Sequence, residues 1–322
     1  MGGGGAARVA GGTSAIDEWH HHDDERLIVR VLVRGLLHLA RDEIESAEAS
    51  VRRSRLEDEP QGSGSIRPLR IAIRRIEYQL ATMGDVDSSL EVAALVDQLH
   101  EVGKPFGQLR DMEIISARVA KLLGDRADTH EVERLLETAA DEKYRAQIAS
   151  DVALDSGALR DAVAALNEFR KALPSDAVTA VMARPVAQQA IRVTWRSVKR
   201  AAATAKADGS DDSLHALRRS IKRAVYSTRG FSYVLGPSAE EFAARLVALQ
   251  KVIGRQHDHV IVAEWLHQVG EDHASLKPLA HRASSEERRK AENGSTQWMR
   301  PWKEVRELHP KKTVMTTYSF FD

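Results

Sequence analysis

Apolar positions along this chain recur at helical spacing, and the clearest run lies between Ile66 and Leu80. Ile66, Leu69, Ile73, Ile76 and Leu80 fall on one stripe by the i, i+3, i+4, i+7 rule. Arg67, Arg70 and Arg74 gather on a separate face, about a third of a turn away. Guanidinium groups in a row repel one another, so such a face is best tolerated when an anion lies across it.

The pattern returns 148 residues later, where Leu214 to Tyr226 aligns with Ile66 to Tyr78 without a gap. Leu69, Arg70, Ile73, Arg74, Arg75 and Tyr78 become Leu217, Arg218, Ile221, Lys222, Arg223 and Tyr226. A second pair follows in the same order, with Lys104 to Asp111 aligning with Lys251 to Asp258 at an offset of 147. Two ordered pairs at nearly equal spacing mark a duplicated unit.

The same periodicity predicts a helix over Asp23 to Arg55, with acids at its start, then a linker over Glu57 to Ser65. Further helices are expected over Ile66 to Met83, Ser88 to Leu123 with a kink near Gly103 and Pro105, Thr129 to Ser150, and Ser156 to Leu173. The next helix is expected to open at Pro185 and run to Asp208, before the repeated basic helix, and Ser238 to Val269 and Asp272 to Asn293 are expected to complete the second unit. The one β-like run is Thr313 to Phe321. The expected architecture is all-α, with two tandem four-helix bundles about a pseudo-twofold axis and a basic groove between the repeated helices. Its expected boundaries are a disordered segment 1–22, a helical domain 23–293 divided into halves 23–175 and 176–293, and a tail 294–322.

Composition narrows the function classes. Of 322 residues, 43% are hydrophobic and 29% charged, with aromatics at 5%, which suits a helical globular chain. Formal net charge is zero, so charge distribution matters more than total charge. The absence of cysteine excludes disulfides, thiolate metal sites and cysteine nucleophiles. No apolar run is long enough for a membrane span, the Gly-rich start lacks the apolar centre of a signal peptide, and Ala6 stands where a myristoylation signal has Ser or Thr. A cytoplasmic protein without a membrane partner is expected.

Leu214-His-Ala-Leu-Arg-Arg-Ser-Ile-Lys-Arg223 resembles the second-half signature of the CHAD family, the histidine-bearing α-helical domain. Ile66 to Arg75 resembles its first-half signature, and Gly107-Gln-Leu-Arg-Asp111 its Gly-x-x-Arg-Asp turn. The resemblance spans roughly residues 25 to 293. It implies two four-helix bundles around a basic groove that binds inorganic polyphosphate, free or in granules. The Glu-x-Glu-x-Lys strand motif of the triphosphate tunnel domain that often accompanies the family is missing, so a stand-alone binding module is implied. Where the family usually has histidine in its first signature, this chain has Arg67, which keeps a donor but makes its charge permanent.

The candidate polyphosphate-binding residues are therefore Arg67, Arg70, Arg74 and Arg75 of the first basic helix, with Lys104 and Arg110 beyond it. In the second unit they are His215, Arg218, Arg219, Lys222 and Arg223, with Lys251 and Arg255 beyond. Arg196 and Arg200, from the Arg192 row, complete the set. Polyphosphate is a line of close anions without base edges, so spaced cations suffice to bind it. Asp111 and Asp258 are expected to hold arginines in place, and structural ion pairing is the alternative for any of these cations. Nucleic-acid binding is the second reading, disfavoured because only Tyr78 and Tyr226 accompany the basic rows. No cofactor, metal or catalytic residue is expected. On a helix, His257 and His259 point about 200° apart and cannot share an ion, and neither a phosphate loop nor a zincin motif is present. Trp19-His20-His21-His22 reads as a solvated run.

Overall fold

The computed structural model describes residues 15–56, 66–124 and 129–308, with side chains described from residue 24 onward. Among these residues every element is a helix. The order is α1 (Ala15–Leu56), α2 (Arg67–Val86), α3 (Ala93–Leu123), α4 (His130–Asp155), α5 (Ala158–Ala172), α6 (Ala180–Asp208), α7 (Asp211–Gly230), α8 (Ser232–Leu235), α9 (Pro237–Asp272), α10 (Lys277–Gly294) and α11 (Met299–Glu307).

Local chemistry sets several boundaries. Thr129, Thr179 and Ser210 each accept a bond from a backbone N–H three residues on, which caps α4, α6 and α7. Asp211 and Asp212 add favourable charge to the first turn of α7. Gly209 ends α6 at φ 67, a left-handed conformation that glycine adopts without steric cost. From α1, Arg34 donates to the carbonyls of Arg170 and Leu173 at 2.8 Å each, and Arg52 to that of Leu154 at 2.8 Å. Two arginines of one helix thus satisfy the open C-terminal carbonyls of α5 and α4.

The apolar stripe of α2 is buried as its spacing implies, with Leu69, Ile73, Ile76 and Leu80 all at 0% exposure. These residues belong to a large core shared by α1, α2, the first part of α3, α5, α6, α7, α8, the first part of α9 and α11. A smaller core joins the far parts of α3 and α9 to α4 and α10, through Ile115, Val119, Leu135, Val262 and Leu266. Each core therefore draws on both halves of the chain.

The basic helices pack directly on each other. Tyr78 stacks on Tyr226, its counterpart in the repeat, with ring centroids 5.9 Å apart. Thr82 Oγ1 and Ser227 Oγ share a buried hydrogen bond of 2.8 Å, and Gln79 Nε2 donates to the Tyr226 carbonyl at 3.3 Å. A methyl group on Gly230 would sit 2.4 Å from Gln79 Nε2, so this close approach requires glycine.

Several boundaries differ from the expected ones. Helix α1 begins at Ala15, inside the segment 1–22 expected to be disordered. Helix α3 runs through Pro105 without interruption, with Gly103 and Phe106 on either side of the proline both buried. Helix α6 starts before Pro185, at Ala180, where Thr179 supplies a cap. The expected tail contributes α11: Trp298 is 2% exposed, Val305 is buried, and the Trp302 ring lies 5.4 Å from that of Trp195. The linker 57–65 and the run Thr313 to Phe321 lie outside the described residues. No helix among the described residues is long and apolar enough to cross a membrane.

Replacement of Trp298 by alanine is expected to cost about 3–5 kcal/mol of stability, as for other large buried aromatics. Denaturant titration followed by circular dichroism checks this; a loss below about 0.5 kcal/mol, the value typical of surface changes, would place α11 outside the folding unit.

Candidate functional site

Between the two cores α3 and α9 change character. On α3, Arg110 and Asp111 lie between Leu109 of the large core and Ile115 of the small one; on α9, His257 and Asp258 lie between Ile253 and Val262. This polar waist is where the basic faces of α2 and α7 converge. Arg70 and Arg74 come from α2, and His215, Arg218 and Lys222 from α7.

The mutual electrostatics place these groups together. Asp111 feels Arg218, Arg70 and Lys222, and Asp258 feels Arg118, Arg218 and Arg110. Burial raises the pKa of both carboxyls, and the arginines oppose it. Asp111 is open to solvent. The two acids thus sit among cations drawn from both repeats, Asp111 beside Arg70 and Arg218, and Asp258 beside Arg110 and Arg218.

The cations outnumber the acids, and several are strained by it. Burial, then Arg218, Arg70 and Arg74, push Lys222 down to about 7. Burial also lowers Arg70. His257 is pushed down to about 3 by burial and by Arg218, His215 and Lys222, so it is neutral at physiological pH. His215 is lowered by burial, with Arg219, Arg218 and Lys222 adding to the shift. The His215 and His257 rings lie 4.9 Å apart. The Nε atoms of Arg70 and Arg218, equivalent positions in the repeat, are both buried without a hydrogen-bond partner. A buried donor left open in this way is a cost that an anion can offset.

Other candidate residues are engaged elsewhere. Arg74 stays at the site but is held by buried Glu77, at 2.8 Å, and by His100 Nδ1 at 3.0 Å. Glu77 lies just beyond the basic row, three residues after Arg74, and reaches back to it. Arg110 donates to Glu113 at 3.2 Å. Arg75 turns to α1 and pairs with Glu43. Arg223 spans the helix pair, with Nε on Thr82 at 2.9 Å and Nη2 on Asp85 at 2.8 Å. Lys104, expected on the groove, bonds Glu101 of its own helix at 2.6 Å. For Arg75, Arg223 and Lys104 the structure thus shows ion pairing. Arg67, Arg196, Arg200, Arg219, Lys251 and Arg255 are exposed, with Arg219 near enough to influence His215 and Tyr78.

Arg118 was not anticipated. It lies two turns beyond Asp111 on α3, has no basic counterpart in the repeat, and contacts His259 Nδ1 at 2.8 Å and Glu287 at 3.4 Å. His259 itself lies 2.6 Å from Glu287 of α10. His257 and His259 therefore serve different neighbours, His215 on one side and Glu287 on the other.

These features define a class: an all-helical protein whose repeated helices gather cations in a waist between two apolar cores. The CHAD domain family model matches residues 35–267. The chain belongs to the CHAD domain family. The CHAD domain from the plant Ricinus communis has a similar structure, with a TM-score of 0.61 and 20% identity over 90% of this chain and 93% of that one. PptA from Streptomyces chartreusis is also similar, with a TM-score of 0.63 and 16% identity over 86% of this chain and 98% of that one. No curated protein matches the chain.

The depressed Lys222 gives a direct check. Its folded pKa lies below the unfolded value, so as pH falls from about 10.5 toward 7 the unfolded chain takes up a proton that the folded chain does not. The residue therefore lowers stability progressively over that window, and the penalty is constant below it. Competitive acetylation across pH should show a Lys222 midpoint near 7, and Arg218→Ala should raise it. A midpoint close to the ordinary lysine value of about 10.4 would remove the lysine from the crowded centre.

Proposed function

We propose that the protein binds inorganic polyphosphate, without catalysis, in the waist lined by Arg70, Arg74, His215, Arg218 and Lys222. The observation that carries this reading is the convergence of cations from two repeated helices with the buried, unpartnered Nε atoms of Arg70 and Arg218. Family membership adds to it, since CHAD domains are generally linked to polyphosphate.

Arginines one turn apart on a helix can follow successive phosphates, each guanidinium offering a fork to non-bridging oxygens. Lys222 contributes a point charge that strengthens on binding, because an anion beside it favours its protonated form. Neutral His257 can donate one N–H or accept one bond, while protonation of His215 would be favoured by an arriving anion. Asp111 and Asp258 hold the guanidinium groups apart and partly compensated while the site is empty. The functional partner is polyphosphate, free or in granules, and a cytoplasmic setting fits that ligand.

Replacement of Arg70, Arg74, Arg218 and Lys222 by Gln is expected to weaken polyphosphate binding at least about 100-fold while leaving the helices folded, with His100 remaining as a partner of buried Glu77. Titration with chains of defined length, beside thermal melts, checks both parts. A folded quadruple variant with wild-type affinity would move the site elsewhere. Single-stranded DNA of matched charge should bind more weakly at the same salt; equal affinity would favour a nucleic-acid ligand. Log affinity should fall linearly with log salt, as counterions are released.

Affinity should also fall as pH rises above about 7, since Lys222 must then acquire a proton on binding. Lys222→Arg should flatten that dependence. A pH profile identical in wild type and Lys222→Arg would remove Lys222 from the binding set.

A further inference from the structure

Far from the waist, near the turn that joins α9 to α10, lies a second set of polar side chains that polyphosphate binding does not use. His267 and Glu271 are one turn apart on α9, and His281 faces them from α10. One donor atom from each lies within 4.8 Å of the others. The His267 and His281 rings stack with centroids 4.9 Å apart. His281 Nε2 lies 2.9 Å from Glu271 Oε1, yet it is buried and makes no hydrogen bond of acceptable geometry. The ring nitrogen and the carboxylate oxygen are two donor atoms at contact distance, and a cation bound by both would take the place of a shared proton.

The position of His281 is built into the backbone. A methyl group on Gly270 would sit 2.5 Å from His281 Cδ2 and 2.8 Å from Nε2. Only glycine at that point of α9 lets the imidazole lie against the helix with its Nε2 toward Glu271. The other carboxylate oxygen of Glu271 takes a 3.1 Å bond from Lys277, a cation already drawn to the site. His267 also lines an open cleft with Gln268, Ser285 and Arg288, which gives ions access from solvent.

We propose that His267, Glu271 and His281 form a binding site for a divalent transition-metal ion that ties α9 to α10. Two imidazoles and one carboxylate suit zinc, cobalt or nickel rather than magnesium or calcium, which prefer all-oxygen shells. Bond lengths of about 2.0–2.1 Å in tetrahedral geometry require donor atoms about 3.3 Å apart. His267 and Glu271 are exposed, so side-chain rotation closes the remaining distance without moving the helices. Three protein donors leave at least one coordination position for water or an anion.

Cobalt(II) is the probe, since its visible absorption reports tetrahedral nitrogen and oxygen ligands. The experiment uses the full chain carrying His20→Ala, His21→Ala and His22→Ala, which removes a competing histidine run. One cobalt ion per chain is expected, with a tetrahedral spectrum and a rise in Tm. His267→Ala, His281→Ala and Gly270→Ala should each weaken binding by about 10-fold or more. Lys277→Met should tighten it, because Glu271 then loses its competing partner. His267→Ala alters an exposed side chain, so it keeps the test valid if His281→Ala fails to fold. Absence of binding in the His-run background, or a cobalt spectrum and affinity unchanged by His267→Ala, would overturn the assignment. So would a Lys277→Met variant that binds cobalt no more tightly than its parent.

Discussion

The contact between α2 and α7 is the constraint on which the rest depends. Two helices that carry rows of like charge are packed on each other through their C-terminal halves. What allows this is the chemistry of the seam: a tyrosine stack, a buried Thr–Ser hydrogen bond, and a glycine that lets Gln79 reach across. These groups are small or flat, and the Thr82–Ser227 and Gln79–Tyr226 bonds pair polar atoms across the seam, which offsets their desolvation. Arg223 bridges the same seam to Asp85 and Thr82, converting one potential repulsion into a tie between the halves. With the seam fixed, the directions of Arg70 and Arg218 follow.

Burial of uncompensated cations has consequences beyond the site itself. Desolvation pushes Lys222 to about 7 and leaves two guanidinium Nε atoms without partners, so the empty waist opposes folding. The apolar cores on both sides supply the opposing free energy, through fully buried Phe106 and Leu109 on α3 and Val262 and Leu266 on α9. The first repeat is partly quenched, because Glu77 and His100 hold Arg74; at the position equivalent to Glu77 the second repeat has Val225. The two sides of the waist are thus chemically unequal although their sequence motifs repeat.

Much of the fold was legible in the sequence because it rests on local periodicity. The stripe from Ile66 to Leu80 is buried where its spacing put it, the duplication places equivalent tyrosines in contact, and the chain is all-α. What could not be read were interactions set by third parties. Glu77 was visible one turn from Arg74, but only burial makes it a partner. Glu43 and Asp85, which take Arg75 and Arg223, come from other turns and other helices, and face arithmetic on one helix cannot find them. Arg118 has no repeat counterpart and so carried no signal. Helix α11 was missed because a short segment rich in charge hides two structural tryptophans. The cluster at His267 depends on a turn between α9 and α10 that brings together residues fourteen positions apart, with a glycine whose purpose appears only when His281 lies against it.

Helix α11 has a bearing on how the molecule comes to be folded. Trp302 covers Trp195 of α6, which also meets the Phe242 ring of α9 edge-on at 5.6 Å, and Trp298 joins the core that both halves share. During synthesis the first half emerges early, yet its stripe residues complete their burial only against helices made later. Trp302 lies more than a hundred residues after Trp195, so α6 is made well before the helix that covers it. In that interval Trp195 lacks the Trp302 ring that covers it, and the nascent chain presents an aromatic face to water and to other chains. Anything that shields this face until α11 arrives favours native molecules over aggregates.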